Sequence, residues 1–274
     1  MNLNVHAGIS AILWTVMLFF ITEGTVYSQF SMGAAPATMG HTGTAIKHSS
    51  WAVFNNPAWI STEERTVSFY GYRFAGLSEL TDMAASVAIP MPFAAVAAGI
   101  HRFGFDLYSE QRAVAAFKKQ LGAVHAGLTL AYHHVTIGGG YGSAGAAGVL
   151  VGFGVEVGNK LQLGIRTGYL NRPKLGSSDE PVPASAAAGI RYDVSGRAFI
   201  TADLVRDPDF PLSARAGIEF KLIESLIVRS GLSGRPSSYG FGFGYNPGLF
   251  RVNLGVQQNH PLGLSAAMDL IIPF

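Results

Sequence analysis

The chain has 274 residues, enough for one large domain or two ordinary ones, and only 13% of them are charged, against about 25% in an average soluble domain. Net charge is +2, from 19 basic and 17 acidic residues with no basic run, which argues against a nucleic-acid surface. The absence of cysteine excludes disulfides, thiolate nucleophiles and Cys-based zinc sites.

In chain order, residues 1–28 read as a secretory signal. Ala11–Ile21 supplies the apolar centre, and Val26 and Ser28 suit cleavage before Gln29. Met1–Gly8 holds no Lys or Arg, so the competing reading is an uncleaved anchor helix. Residues 29–65 are rich in small side chains and lack a strand period, which predicts a plug segment rather than part of a sheet. Within it, Asn55-Asn56-Pro57 forms a turn flanked by Trp51, Phe54 and Trp59.

From residue 66 to 274 the sequence predicts about fourteen short strands. The first seven centre on Val67–Phe74, Met83–Ile89, Ala94–Phe103, Arg112–Lys118, Gly127–Ile137, Ala147–Val157 and Leu161–Leu170. The rest centre on Ala184–Val194, Arg197–Val205, Leu212–Lys221, Leu226–Leu232, Tyr239–Tyr245, Phe250–Gln257 and Leu264–Phe274. Period-two alternation is clean in several. Tyr239, Phe241, Phe243 and Tyr245 oppose Gly240, Gly242 and Gly244, while Leu161, Leu163, Ile165, Thr167 and Tyr169 oppose Gln162, Gly164, Arg166 and Gly168. The first four strands alternate less well. Tight turns at Pro90-Met91-Pro92, Gly158-Asn159-Lys160, Ser195-Gly196 and Asn246-Pro247-Gly248 interleave with connections read as longer, at 138–146, 171–183, 206–211, 233–238 and 258–263.

That pattern predicts an all-β antiparallel transmembrane β-barrel with a plug, its termini on the short-turn side. A barrel in lipid needs apolar outward faces. The assigned faces put Glu156, Arg166, Arg191, Asp193, Asp203, Arg215, Glu219, Arg229, Arg251 and Asp269 inside, as a structural polar interior or a charge-selective constriction. Interior glycines leave room for the plug.

Candidate chemistry is sparse. Gly140-Tyr141-Gly142-Ser143-Ala144-Gly145 fits a dinucleotide fingerprint but precedes a strand rather than a helix, so no cofactor is expected. His133 and His134 fall on opposite strand faces, and His41 and His48 lack partners at metal spacing, so no metal site is expected. No Ser-His-acid set can be assigned, so no catalytic residue is expected.

Met39-Gly40-His41-Thr42-Gly43, continuing through Trp51, Phe54, Asn55, Asn56, Pro57 and Ala58, resembles the N-terminal motif of the PorV/PorQ family. FadL-type fatty-acid transporters carry a related Asn-Pro-Ala segment. Stretches 102–108, 171–176 and 207–211 are similar to that family as well. Met268, Leu270, Ile272 and Phe274 resemble the C-terminal signal that the barrel-insertion machinery reads. The resemblance implies a FadL-like fourteen-strand barrel in the bacterial outer membrane, surrounded by its lipid. It also implies a non-enzymatic accessory of type IX protein secretion or surface assembly, with secretion components or cargo as partners. The alternative is a passive channel for hydrophobic or amphipathic small molecules.

Overall fold

The structure is a computed structural model that describes residues 31–74, 80–140, 142–176, 182, 184–207, 210–260 and 263–274. The expected signal segment 1–28 lies outside the described residues.

Fourteen strands follow one another: β1 (Thr66–Arg73), β2 (Thr81–Met91), β3 (Ala94–Phe105), β4 (Tyr108–Leu121), β5 (Val124–Ile137), β6 (Gly142–Val157) and β7 (Leu161–Thr167). The second half comprises β8 (Ala186–Asp193), β9 (Ala198–Asp207), β10 (Phe210–Ile223), β11 (Leu226–Ser233), β12 (Ser238–Tyr245), β13 (Arg251–Asn259) and β14 (Gly263–Pro273). Each pairs antiparallel with the next, and β1 closes on β14 in a register running from Thr66↔Pro273 to Arg73↔Ala266. Closure satisfies the sheet's backbone groups without water, which is what lipid demands.

The side-chain period decides which face meets lipid. In β12, Tyr239, Phe241, Phe243 and Tyr245 are exposed while Ser238, Gly240, Gly242 and Gly244 are buried. Phe93, Tyr192, Tyr245, Phe250 and Phe274 stand outward near the short-turn rim, as an aromatic girdle does at a bilayer interface. The outward apolar band makes this a barrel of the bacterial outer membrane.

The connections correct one expectation. Four of the five read as long are short, because the strands extend into them. Pairing continues to Ile137↔Gly142 and Asn259↔Gly263, and the β9–β10 hairpin already pairs at Asp207↔Phe210. Of those five, only the β7–β8 connection, residues 168–185, is long. It begins early because β7 ends at Thr167, not Leu170. Tyr169 adopts φ 54° there, a conformation that breaks the strand. The period placed Tyr169 on the lipid face. The turn swings it into the lumen, where it is 0% exposed.

Residues 31–65 precede the sheet and lie within it. They form α1 (Ala34–Thr38), α2 (Ala52–Asn55) and a 3₁₀ turn, Pro57–Trp59. Helices this short have no stability of their own. They hold their shape because the wall grips them, and nearly every residue from 31 to 60 is buried. The wall approaches so closely only where it lacks side chains. A Cβ built on Gly99 would lie 2.7 Å from the Phe54 ring, on Gly154 2.5 Å from Trp59, and on Gly217 2.5 Å from the Met39 Cβ. Gly127, Gly152, Gly164, Gly231 and Gly255 face Pro57, Asn56, Thr44, Met39 and Thr38 in the same way.

Inward and outward glycines therefore respond differently to substitution. Gly217→Val drives a branched side chain into the Met39 backbone, and overpacking of this kind costs about 1–3 kcal/mol. The temperature at which the folded, fast-migrating gel species disappears is expected to fall. Gly71→Ala points into open space on the outer face and is expected to leave that temperature unchanged.

Candidate functional site

Two buried carboxylates clasp residues 31–65, the segment expected to be a plug, to the wall. Asp269 on β14 accepts from the Ala34 backbone N–H at 2.8 Å and from Trp51 Nε1 at 3.2 Å through one oxygen. Its other oxygen accepts from Asn253 Nδ2 at 2.6 Å. Asp203 on β9 takes the backbone N–H groups of Gly43 and Thr44 at 2.9 and 3.0 Å. Carboxylates buried this deeply persist only with several donors, and both have them.

The other plug-motif residues act within the same assembly. Asn55 closes a two-point clip, accepting from Met32 N at 2.7 Å and donating to Met32 O at 2.8 Å. Asn56 donates to Thr44 O at 2.7 Å and accepts from Ala58 N at 3.1 Å, which caps the 3₁₀ turn that Pro57 opens. Met39 and Gly40 lie against β10 and β11, with Gly40 at φ 68° passing too close to Leu232 O for any side chain. Phe54 packs at Gly99, with the Arg112 guanidinium 5.3 Å from its ring centre.

Nine of the ten charges expected inside are brought together by the inner wall. Arg191 and Arg229 share Glu219 at 3.0 and 2.7 Å, and Arg229 continues to Asn253 Oδ1 at 2.8 Å, so this chain ends on Asp269. Arg215 donates to His41 O at 3.3 Å, Glu156 pairs with Lys47 at 3.1 Å, and Arg251 pairs with Glu64. Arg166 is buried on β7. Asp193 is the exception. It shares the inward parity of Arg191, but its carboxylate caps the β8–β9 turn, accepting from Ser195 N at 3.1 Å and Gly196 N at 2.5 Å. The described interior charges thus lie largely in pairs, with one another or with residues 31–65. Met268, Ile272 and Phe274 stand exposed on the outer face, with Leu270 half-buried among them.

Sequence reasoning missed three parts of this interior. Lys118, 1% exposed, donates to Ile60 O at 2.8 Å and holds the end of the plug segment. Continuing the alternation of Arg112, Val114 and Ala116 would have placed it inside. Gln257 receives His41 Nε2 at 3.0 Å and Tyr72 Oη at 2.9 Å. The third part is an aromatic wall. Tyr72 and Phe74 lie 4.7 Å apart, Phe74 and Phe103 5.8 Å, and Trp51 and Tyr70 5.7 Å between ring centres. Phe74 and Phe103 are half-buried, on strand ends away from the termini, and they flank the Asp82–His101 pair at 2.6 Å.

The β7–β8 connection roofs another part of the same end. Tyr169, Leu175 and Val182 join the hydrophobic core. Where β7 has stopped, β6 has no strand partner on that side, and Asn171 takes its place. Its side chain accepts from Val149 N at 3.1 Å and donates to Ala147 O at 2.8 Å.

Removing the Asp269 carboxylate leaves three buried donors unpaired, a loss of about 3 kcal/mol or more. Asp269→Ala is expected to loosen the plug segment. Red-shifted emission from Trp51 and Trp59 and faster proteolysis within 31–65 check it, with the barrel's gel mobility retained. His41 gives a pH dependence. Burial, then the charge of Arg215, push its pKa down to about 3 from an ordinary 6.5. The unfolded segment therefore binds the extra proton between those values, and the stability of docking, full above pH 6.5, declines as pH falls toward 3. The denaturant midpoint read by tryptophan emission is expected to drop between pH 7 and pH 4.5, and to drop less in His41→Gln.

No family model matches the chain, and no curated protein matches it. Solved structures do. The Pseudomonas putida toluene transporter TodX aligns at TM-score 0.68 with 12% identity, over 91% of this chain and 99% of that one. A second TodX structure gives a TM-score of 0.69 at 14% identity, over 90% and 99%. A Pseudomonas aeruginosa FadL homologue gives 0.56 at 10%, over 90% and 98%. At these identities the likeness establishes the fold: a closed fourteen-strand barrel with a segment ahead of its strands, of the FadL/TodX type.

Proposed function

We propose that the protein is a non-enzymatic, passive channel for small hydrophobic or amphipathic molecules crossing the outer membrane. The observation that carries this reading is the aromatic wall at the end of the lumen away from the termini. There Tyr72, Phe74 and Phe103 stack edge to face beside Phe54 and Trp51. Of these, the half-buried rings of Phe74 and Phe103 offer an apolar solute contact area and polarised edges at little entropic cost. The proteins that share the fold include a toluene transporter, which supports the same class of solute.

Passage requires residues 31–60 to shift, because they fill the lumen. Their attachment by hydrogen bonds and paired charges, rather than by covalent links, suits a segment that moves without unfolding the sheet. The secretion-accessory reading finds less support. Apart from residues 168–185, the described connections at the far rim are hairpins of a few residues, which leaves little surface for protein cargo.

The test is uptake of radiolabelled toluene by cells expressing the full chain. Uptake above the empty-vector level is expected, and Phe74→Ala/Phe103→Ala is expected to lower it several-fold with unchanged expression and gel mobility. Uptake at the empty-vector level would contradict the channel reading. If a deletion strain instead lost its surface-anchored secreted proteins while solute uptake stayed normal, the secretion reading would replace it.

A further inference from the structure

The outer wall carries a feature that the lumen does not explain. An apolar groove of about 560 Å³ runs along the lipid-facing side of β1, β2 and β12–β14. That volume falls within the roughly 300–1,000 Å³ of small-molecule sites. Met83, Phe243, Leu254 and Met268 form its walls, all of them exposed on outward strand faces. Its floor is Gly71, where a Cβ would meet no atom within 4 Å. Arg73 lines the groove at the β1 end farthest from the chain termini.

Arg73 has a neighbour of the same kind. Met83 pairs with Gly71 on one side and with Arg102 on the other, so Arg102 stands on the same outward row one strand beyond the groove. Both arginines are exposed, and neither makes an ion pair or hydrogen bond among the described residues. The acidic residues nearest in register, Asp82 and Glu110, face inward and are taken by His101 and His133. Two unpaired guanidinium groups on a lipid-facing wall call for an anion from the membrane itself.

We infer that this groove is a binding site for a phosphate-bearing lipid of the outer leaflet, one acyl chain lying over Gly71 and the phosphate held by Arg73 and Arg102. The physical division of labour is clear. Lipid tails are as apolar as the groove, so burying a chain there gives no hydrophobic gain over bulk bilayer. The groove sets shape, and the selectivity comes from the arginines, whose planar donors match phosphate oxygens. This site is independent of any solute in the lumen.

Native mass spectrometry of the full chain, exchanged into detergent with dioleoyl phosphatidate, tests it. One retained phosphatidate is expected, with no retention of dioleoylglycerol and no displacement by millimolar inorganic phosphate. Arg73→Gln/Arg102→Gln is expected to lower retention at least fivefold. Gly71→Phe, which fills the groove and leaves both arginines in place, is expected to do the same. Lys119→Gln, an exposed cation at the opposite rim, is expected to change nothing. Equal retention of phosphatidate by the wild type and both groove variants, or retention of dioleoylglycerol as strong as that of phosphatidate, would overturn the inference. Unheated gel mobility identifies the folded variants, and the two groove variants test the site separately.

Discussion

The Asp269 carboxylate is shared between two parts of the molecule that are more than two hundred residues apart in sequence. Ala34 N and Trp51 Nε1 reach it from the plug segment, and Asn253 Nδ2 reaches it from the wall. Through Asn253 the same carboxylate is tied to Arg229, Glu219 and Arg191, so the plug segment is docked onto a network spanning β8 to β14. A buried charge with fewer partners would be a liability of several kcal/mol. Its retention makes sense only if the plug segment and the wall are built as one unit.

The glycines follow from that requirement. A polypeptide can lie against the inside of a sheet only if the sheet presents backbone, and Gly152, Gly164 and Gly231 present it to Asn56, Thr44 and Met39. Outward, the constraint reverses, and the same strands carry Phe153, Leu163 and Leu232 toward lipid. One alternation thus serves two solvents, the bilayer outside and the chain's own N-terminal segment inside.

Legibility in the sequence tracked this contrast. Where one face was glycine or charge and the other large and apolar, as in β12 and β13, the strand, its face and its buried polar residues could be read directly. In β1 to β3 both faces are apolar. Tyr70 and Tyr72 point in while Phe69 points out, and Ala97 points in while Ile100 points out. The aromatic wall was therefore invisible to a period of two. β4 runs past both ends of its expected centre because polar residues occupy both faces there, as at Glu110-Gln111 and Lys118-Lys119, although burial still alternates and pairing with β5 continues. Asp193 and Tyr169 mark the other limit. Parity predicts a face only while the strand lasts, and near a turn local backbone geometry decides where a side chain goes. The plug segment's contacts were not legible at all, since the partners lie on distant strands and no spacing links them.

The central claim is that residues 31–65 sit docked inside the closed barrel. Thr42 Oγ1 and Thr201 Oγ1, 2.8 Å apart, offer its most direct measurement, because the chain has no cysteine of its own. In Thr42→Cys/Thr201→Cys, oxidation in intact outer membranes is expected to join the plug segment to β9, giving one disulfide-linked peptide pair in a digest. If both thiols instead remain fully open to a membrane-impermeant maleimide and no linked peptide forms, the segment is not where this account places it.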